Sequence, residues 1–252
     1  MKTLLFSLAL LLCSNSFTTA QNFFLPVSST SKTAKATYYK AAEFASNIHP
    51  KEADEQLDKA LQEDPNFFMA YVLKIFYANK DKKPDLLTKA LALDAGKLNK
   101  AEKILRQQLV NWQADPKAKT SETMSALVAA YPKTPQAYEW ASLHAVYTDR
   151  DSAAALAYAQ KLATVNPSFA ANYNTMGYMY MGMKQMDQAK AAFEKYIALA
   201  SKEPNAYDSM AEFYMNAKDY ARSAEYYDKA AELGLADAKA RADKAREMMK
   251  QK

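Results

Sequence analysis

The sequence predicts an all-α protein built as an array of stacked helix pairs. Three observations carry this. Tyr173-Asn174-Thr175-Met176-Gly177-Tyr178-Met179-Tyr180 returns 34 residues on as Tyr207-Asp208-Ser209-Met210-Ala211-Glu212-Phe213-Tyr214. The following segment keeps the step, with Ala189, Phe193 and Tyr196 answered by Ser223, Tyr227 and Ala230. The chain has only 4 glycines, abundant alanine, no alternating strand-like runs, and helical lengths between its prolines. A fixed period of this size means units that cannot bury an apolar face alone and therefore stack.

Taken in order, residues 1–20 read as an export signal. Lys2 gives the positive start, Leu4 to Leu12 an apolar core too short for a membrane span, and Thr18-Thr19-Ala20 small residues for cleavage. The mature chain is expected to begin at Gln21. Lipoprotein processing before Cys13 would need a small residue where Leu12 stands. Residues 21–33, with Pro26 and several serines, are expected to be a flexible lead-in. A helical repeat domain then runs over 34–252. Its first pair, about 34–66, holds Ala53, Leu57 and Ala60 before Asp64-Pro65. The next, from Phe68, has Tyr71 in the aromatic slot but Lys74 where an apolar residue belongs. Residues 97–133 have the length of a pair, with Ala126-Leu127 and Tyr131-Pro132 as their only pattern. Trp140-Ala141-Ser142-Leu143-His144-Ala145-Val146-Tyr147 opens the following copy, whose second helix holds Ala155 and Leu162 and ends at Asn166-Pro167. The best copies are 136–169, 170–203 and 204–234. Residues 235–252, rich in Lys and Arg with a weak apolar face, form the capping helix that an array needs.

The step of 34, with large-x-x-apolar-small-x-x-Tyr in one helix and small-x-x-x-aromatic in the next, resembles the tetratricopeptide repeat. The resemblance implies a right-handed α-solenoid of antiparallel helix pairs. Gly177, Ala211, Ala189 and Ala230 would sit where helices approach closely. It also implies a concave groove, lined by the first helix of each pair, that holds an extended peptide or a partner's helix. Carried onto this chain, the groove side shows Asn174, Tyr178 and Met181, then Asn205, Asp208, Glu212 and Met215, and in the Trp140 copy Tyr138, Ala141, Ala145 and Thr148. The sets 174/178/181 and 208/212/215 share the spacing of one helical face. Members that clamp a carboxylate use Lys and Arg here, so Asp208 and Glu212 argue against such a clamp. They suit a partner with basic and apolar groups, Asp208 and Glu212 being taken as exposed.

Chemistry is expected to be absent. Cys13, the only cysteine, leaves with the signal, so the mature chain has neither disulfide nor thiol. His49 and His144 are far apart and make no zinc set. No nucleophile elbow, phosphate loop or metalloprotease motif occurs. No cofactor or metal is expected. Net charge is +5, lysines alternate with acids along helices, and no nucleic-acid face is expected. No later stretch is long enough to span a bilayer. Met176, Met179, Met181, Met183 and Met186 crowd together, which raises an alternative: a periplasmic carrier or chaperone for a small ligand or Cu(I). The leading expectation is an exported, non-catalytic adaptor of a bacterial periplasm or envelope.

Overall fold

The structure, a computed structural model, describes residues 23–47 and 49–250; the expected signal and its cleavage site lie outside the described residues. These residues form thirteen α-helices and no strand. The chain divides at Arg150 into two compact units.

The first unit contains α1 (Lys32–Ser46), α2 (Pro50–Glu63), α3 (Phe68–Tyr77), α4 (Lys83–Leu91), a short 3-10 turn (Ala95–Lys97), α5 (Lys100–Ala114), α6 (Ser121–Ala130) and α7 (Pro135–His144), which runs on as a π-helical turn (Ala145–Asp149). Each helix packs against the one before it, and α3 also meets α5. Local chemistry sets the starts. Ser31 accepts the Ala34 N–H, and Asn99 and Glu102 form a reciprocal capping box on α5. Pro50 and Pro135 occupy first-turn positions, where a missing N–H costs nothing. Residues 97–133 do supply a helix pair, α5 and α6.

Lys74, the residue out of pattern, is accounted for by α2. Its ammonium reaches Asp54 and, at 2.9 Å, Asp58, while its side chain is only 14% exposed. Two carboxylates of the preceding helix thus replace an apolar contact.

The lead-in is not free over residues 23–31. Leu25 is fully buried. Its N–H donates to Gln136 Oε1 at 2.7 Å, the Ser28 N–H donates to Glu102 Oε1 at 3.0 Å, and Asn99 Nδ2 donates to the Pro26 carbonyl at 2.9 Å. Phe24 stacks on Tyr39. An extended segment with this many backbone partners is ordered by them, and the apolar run Phe23–Val27, overshadowed by the serines that follow it, was its signal.

A recurring tyrosine fixes the true register. Tyr71, Tyr138, Tyr173 and Tyr207 each donate a hydroxyl to the carbonyl six residues back, on Pro65, Pro132, Pro167 and Ser201, at 3.3, 3.1, 2.9 and 3.1 Å. Tyr138, not Trp140, is therefore the counterpart of Tyr173. From Tyr138 to Ala155 is one residue more than from Tyr173 to Ala189. The π-helical turn lies within that interval, and a π-turn is how a helix absorbs one inserted residue.

The second unit contains α8 (Ser152–Val165), α9 (Ala170–Gly182), α10 (Met186–Leu199), α11 (Pro204–Asn216), α12 (Tyr220–Glu232) and α13 (Ala238–Lys250). Asp151 and Asp219 cap α8 and α12 through their side chains. One core gathers Ala189, Phe193, Met210, Phe213 and Tyr214, and a second gathers Ala211, Tyr227 and Ala242. The close approach expected at Gly177 is present: a Cβ there would lie 2.5 Å from the Phe193 ring. Between paired helices the chain turns through left-handed residues, Lys184 (φ 61°) and Lys218 (φ 60°), 34 residues apart. Each turn closes with the same two bonds, Lys184 and Gln185 N–H to Met181 and Tyr180, and Lys218 and Asp219 N–H to Met215 and Tyr214. The last helix, α13, buries Ala238, Ala242 and Ala245 against α12 and leaves its other side wet.

Candidate functional site

The expected groove residues of the second unit lie on α9 and α11, helices that touch, in rows set by the repeat. Asn174 and Asp208 form one row, Tyr178 and Glu212 the next, Met181 and Met215 the third. On α13 the same steps reach Ala242, Arg246 and Met249. Met249, half exposed at 49%, was not among the expected residues. Its signal was available, since it stands 34 residues after Met215.

Many of these side chains are engaged with one another. The Tyr178 hydroxyl donates to Glu212 Oε2 at 2.6 Å, and its oxygen lies 3.3 Å from the Ser209 hydroxyl, which can donate to it. Burial, reinforced by the Glu212 carboxylate, raises its pKa. Its ring meets Phe193 edge-on at 5.2 Å. Asn205 donates to the Tyr196 hydroxyl at 3.2 Å. Asn174 is 8% exposed, and its Oδ1 has no hydrogen-bond partner. Met181 and Met215 are half buried, one against each core.

Asp208 departs from the expectation of an exposed acid. It is 7% exposed. Arg241 of α13 donates to its Oδ2 at 3.1 Å, and Arg241 Nη2 stands 2.9 Å from Oδ1 without hydrogen-bond alignment. The Arg241 guanidinium also lies 5.2 Å from the centre of the Tyr227 ring. Burial nevertheless pushes the Asp208 pKa up to about 6, with Arg241 opposing and Glu212 reinforcing the rise. Desolvation here outweighs the ion pair, as it commonly does away from water. The reason Asp208 is not free is the cap helix, whose Arg241 the sequence pattern left unassigned.

Tyr138 lies in the first unit, half buried, with its hydroxyl committed to Pro132. Counted from the tyrosines, the positions matching Asn174 and Tyr178 are Val72 and Phe76 on α3, and Glu139 and Leu143 on α7. All four line one cleft of that unit. The one-residue insertion hid this, because it follows Tyr138 and shifts the count taken from Trp140.

Among the described residues, no three or more His, Cys, Asp or Glu side chains gather as a metal site, and no helix is long and apolar enough to cross a membrane.

No protein-family profile and no curated protein sequence matches this chain. Among solved structures it is similar to the thermophilic TPR protein TTC0263 of Thermus thermophilus, with 19% identity, a TM-score of 0.52, and coverage of 84% of this chain and 98% of that one. Pseudomonas aeruginosa PilF (17% identity, TM-score 0.45, 86% and 87% covered) and PilW, a widely conserved type IV pilus biogenesis factor (16%, 0.44, 88% and 93%), also match. The Thermus likeness shows the fold. This chain has the all-α, tetratricopeptide-type helical repeat fold.

Proposed function

We propose that the chain is an exported, non-catalytic scaffold that holds a protein or peptide partner on the face of α9 and α11. The observation that supports it is the pair of rows that the 34-residue step sets on those helices: Tyr178 with Glu212, and Met181 with Met215. A helix surface kept only for solvation has no need of an aromatic whose hydroxyl is held by a carboxylate, beside half-buried thioethers. Aromatic groups of this kind anchor partners, and methionines adapt to their shape. With Asp208 matched by Arg241, Glu212 is the acid left to meet a basic group of the partner. Asn174 and Asn205 complete the expected face. The expected leader at Leu4–Leu12 supports a periplasmic or envelope location, where nucleic acid is not the expected partner.

The test is a pull-down from native envelope with wild-type protein and with Tyr178→Ala combined with Met181→Ala and Met215→Ala. The proposal expects one partner retained by wild type and lost by the triple variant while its circular dichroism is unchanged. Equal retention by a folded triple variant would contradict it. The methionine cluster supports no second reading, since Met186 packs against the Phe193 core and Met176 accepts from Asn172 Nδ2 at 3.7 Å.

A further inference from the structure

The cleft of the first unit is unlike the face of α9 and α11. Its walls are aromatic, with Phe76, Tyr77, Trp112 and Trp140 among the lining residues. Its cavity has a volume of about 30 Å³. A water needs roughly 10–15 Å³ by that measure, so the space suits a slender group and not a bulky ring.

Two polar groups of the lining have no partner for one atom each. Glu139 is 6% exposed; Ser46 hydrogen-bonds its carboxyl, but Oε2 bonds to nothing. Gln108 is 2% exposed; its Oε1 accepts from Thr123 at 2.9 Å, and its Nε2 bonds to nothing. Buried polar atoms are nearly always paired, and a buried acid without a cation is costly. Burial pushes the Glu139 pKa up to about 7. The other ionisable groups of the lining are no cations: Tyr77 is a phenol whose pKa burial raises, burial pushes the His144 pKa down to about 4, and the His144 ring lies 5.0 Å from Phe76 and 5.7 Å from Trp112. The cleft thus offers a counter-ion and π-faces with nothing positive inside. Aromatic walls around an acid are the arrangement that recognises organic ammonium groups.

We propose that this cleft binds a primary ammonium on an apolar stem, with Glu139 as its counter-ion and the aromatic walls around the stem. The site is separate from α9 and α11 and does not depend on partner binding there. The ammonium could belong to a free alkylamine or to a lysine side chain, and the two are separable by experiment.

Trp112 and Trp140 are the only two tryptophans of the chain, and both line the cleft. Tryptophan fluorescence, excited selectively over the 17 tyrosines, therefore reports on this cleft, and Trp140 lines it without lining the neighbouring pocket that Trp112 also borders. The probes are n-butylammonium, an acetyl-lysine-methylamide, and 1-pentanol as the uncharged isostere. Saturable change with butylammonium, with the lysine amide, or with both carries the proposal and identifies the source. Affinity should rise about tenfold from pH 5.5 to 8.5 as the Glu139 carboxyl ionises, since 1.4 kcal/mol of added attraction is tenfold. Tyr38, Tyr77, His144 and Ser46 also face Glu139. The tyrosine pKa values are raised and His144 is neutral over this range, so the pH response belongs to Glu139. Glu139→Gln should lose at least the same tenfold at pH 8.5 and flatten the profile. No saturable change with either amine, equal affinity for 1-pentanol, or unchanged affinity in Glu139→Gln would overturn the proposal and leave a cleft holding water. Should Glu139→Gln fail to fold, the amine and alcohol pair decides the matter in the wild-type protein.

Discussion

A Cβ on Gly177 would meet three ring atoms of Phe193 within 2.7 Å, whereas one on Gly182 would meet nothing within 4 Å. Both glycines are on α9, so they separate crowding from backbone propensity. Gly177→Ala should destabilise by about 1–3 kcal/mol, because Phe193 is fully buried between the Tyr178 and Phe213 rings. Gly182→Ala should be neutral or gain up to about 0.5–1 kcal/mol. Thermal melts of the two variants check this, and equal melting would mean that the α9–α10 contact is misplaced. Gly177 was legible in the sequence because a small residue at a fixed repeat position has one explanation. Glu139 was not, because a charged residue beside Trp140 reads as a solvated face until the α1, α3 and α5 walls surround it. Its burial makes a second prediction. A carboxyl whose pKa is raised on folding, from 4.5 to about 7, holds its proton more tightly in the folded state. Its contribution is complete below about 4.5 and is lost as pH rises through about 7. Glu139→Gln should therefore stabilise by about 1–3 kcal/mol at pH 8.5 and have little effect at pH 4.5. His144 works in the opposite sense: its neutral form is favoured on folding, so stability is lost as pH falls from 6.5 towards about 4. Denaturation across this range in wild type and Glu139→Gln separates the two.

The turns between paired helices repeat as faithfully as the helices. Lys184 and Lys218 sit in the left-handed region, where a side chain other than hydrogen is strained. Lys184→Gly and Lys218→Gly should each stabilise by about 0.5–1 kcal/mol: relief of about 1–2 kcal/mol, partly offset by the greater freedom of glycine in the unfolded chain. Urea titration checks it, and a loss of stability in both variants would put the turn geometry in error. These positions went unread because lysine at a helix end suggests solvent or the helix dipole, and nothing in its chemistry announces a positive φ. The π-turn at Ala145–Asp149 went unread for a related reason. A single insertion leaves both flanking helices intact and only moves their register, so Trp140 offered a plausible but displaced alignment. The six-residue link from tyrosine to the carbonyl of Pro65, Pro132, Pro167 or Ser201 is the local signal that would have fixed it.

At the scale of the whole molecule, the period carried the fold. The thirteen helices among the described residues and the array class follow from a 34-residue step and few glycines, because stacking is how such units bury their faces. The lead-in shows the limit of that reasoning. Leu25 stands in the short apolar run Phe23-Phe24-Leu25-Pro26-Val27 and is fully buried, its N–H held by Gln136 that lies 111 residues away; the run marks a buried segment, but no local pattern encodes a contact of that separation. The functional rows fall between these cases. Their positions on α9 and α11 were legible, and their mutual engagement, above all Asp208 with Arg241, was not. The central claim, that the α9 and α11 face holds a partner chain, is tested most directly by site-specific photo-crosslinking in cells. A benzoyl-phenylalanine at Met215 on α11 should give one discrete adduct, and the same group at the exposed Glu225 on α12 should give none. Adducts from Glu225 alone, or none from Met215 in a folded and exported variant, would contradict the account.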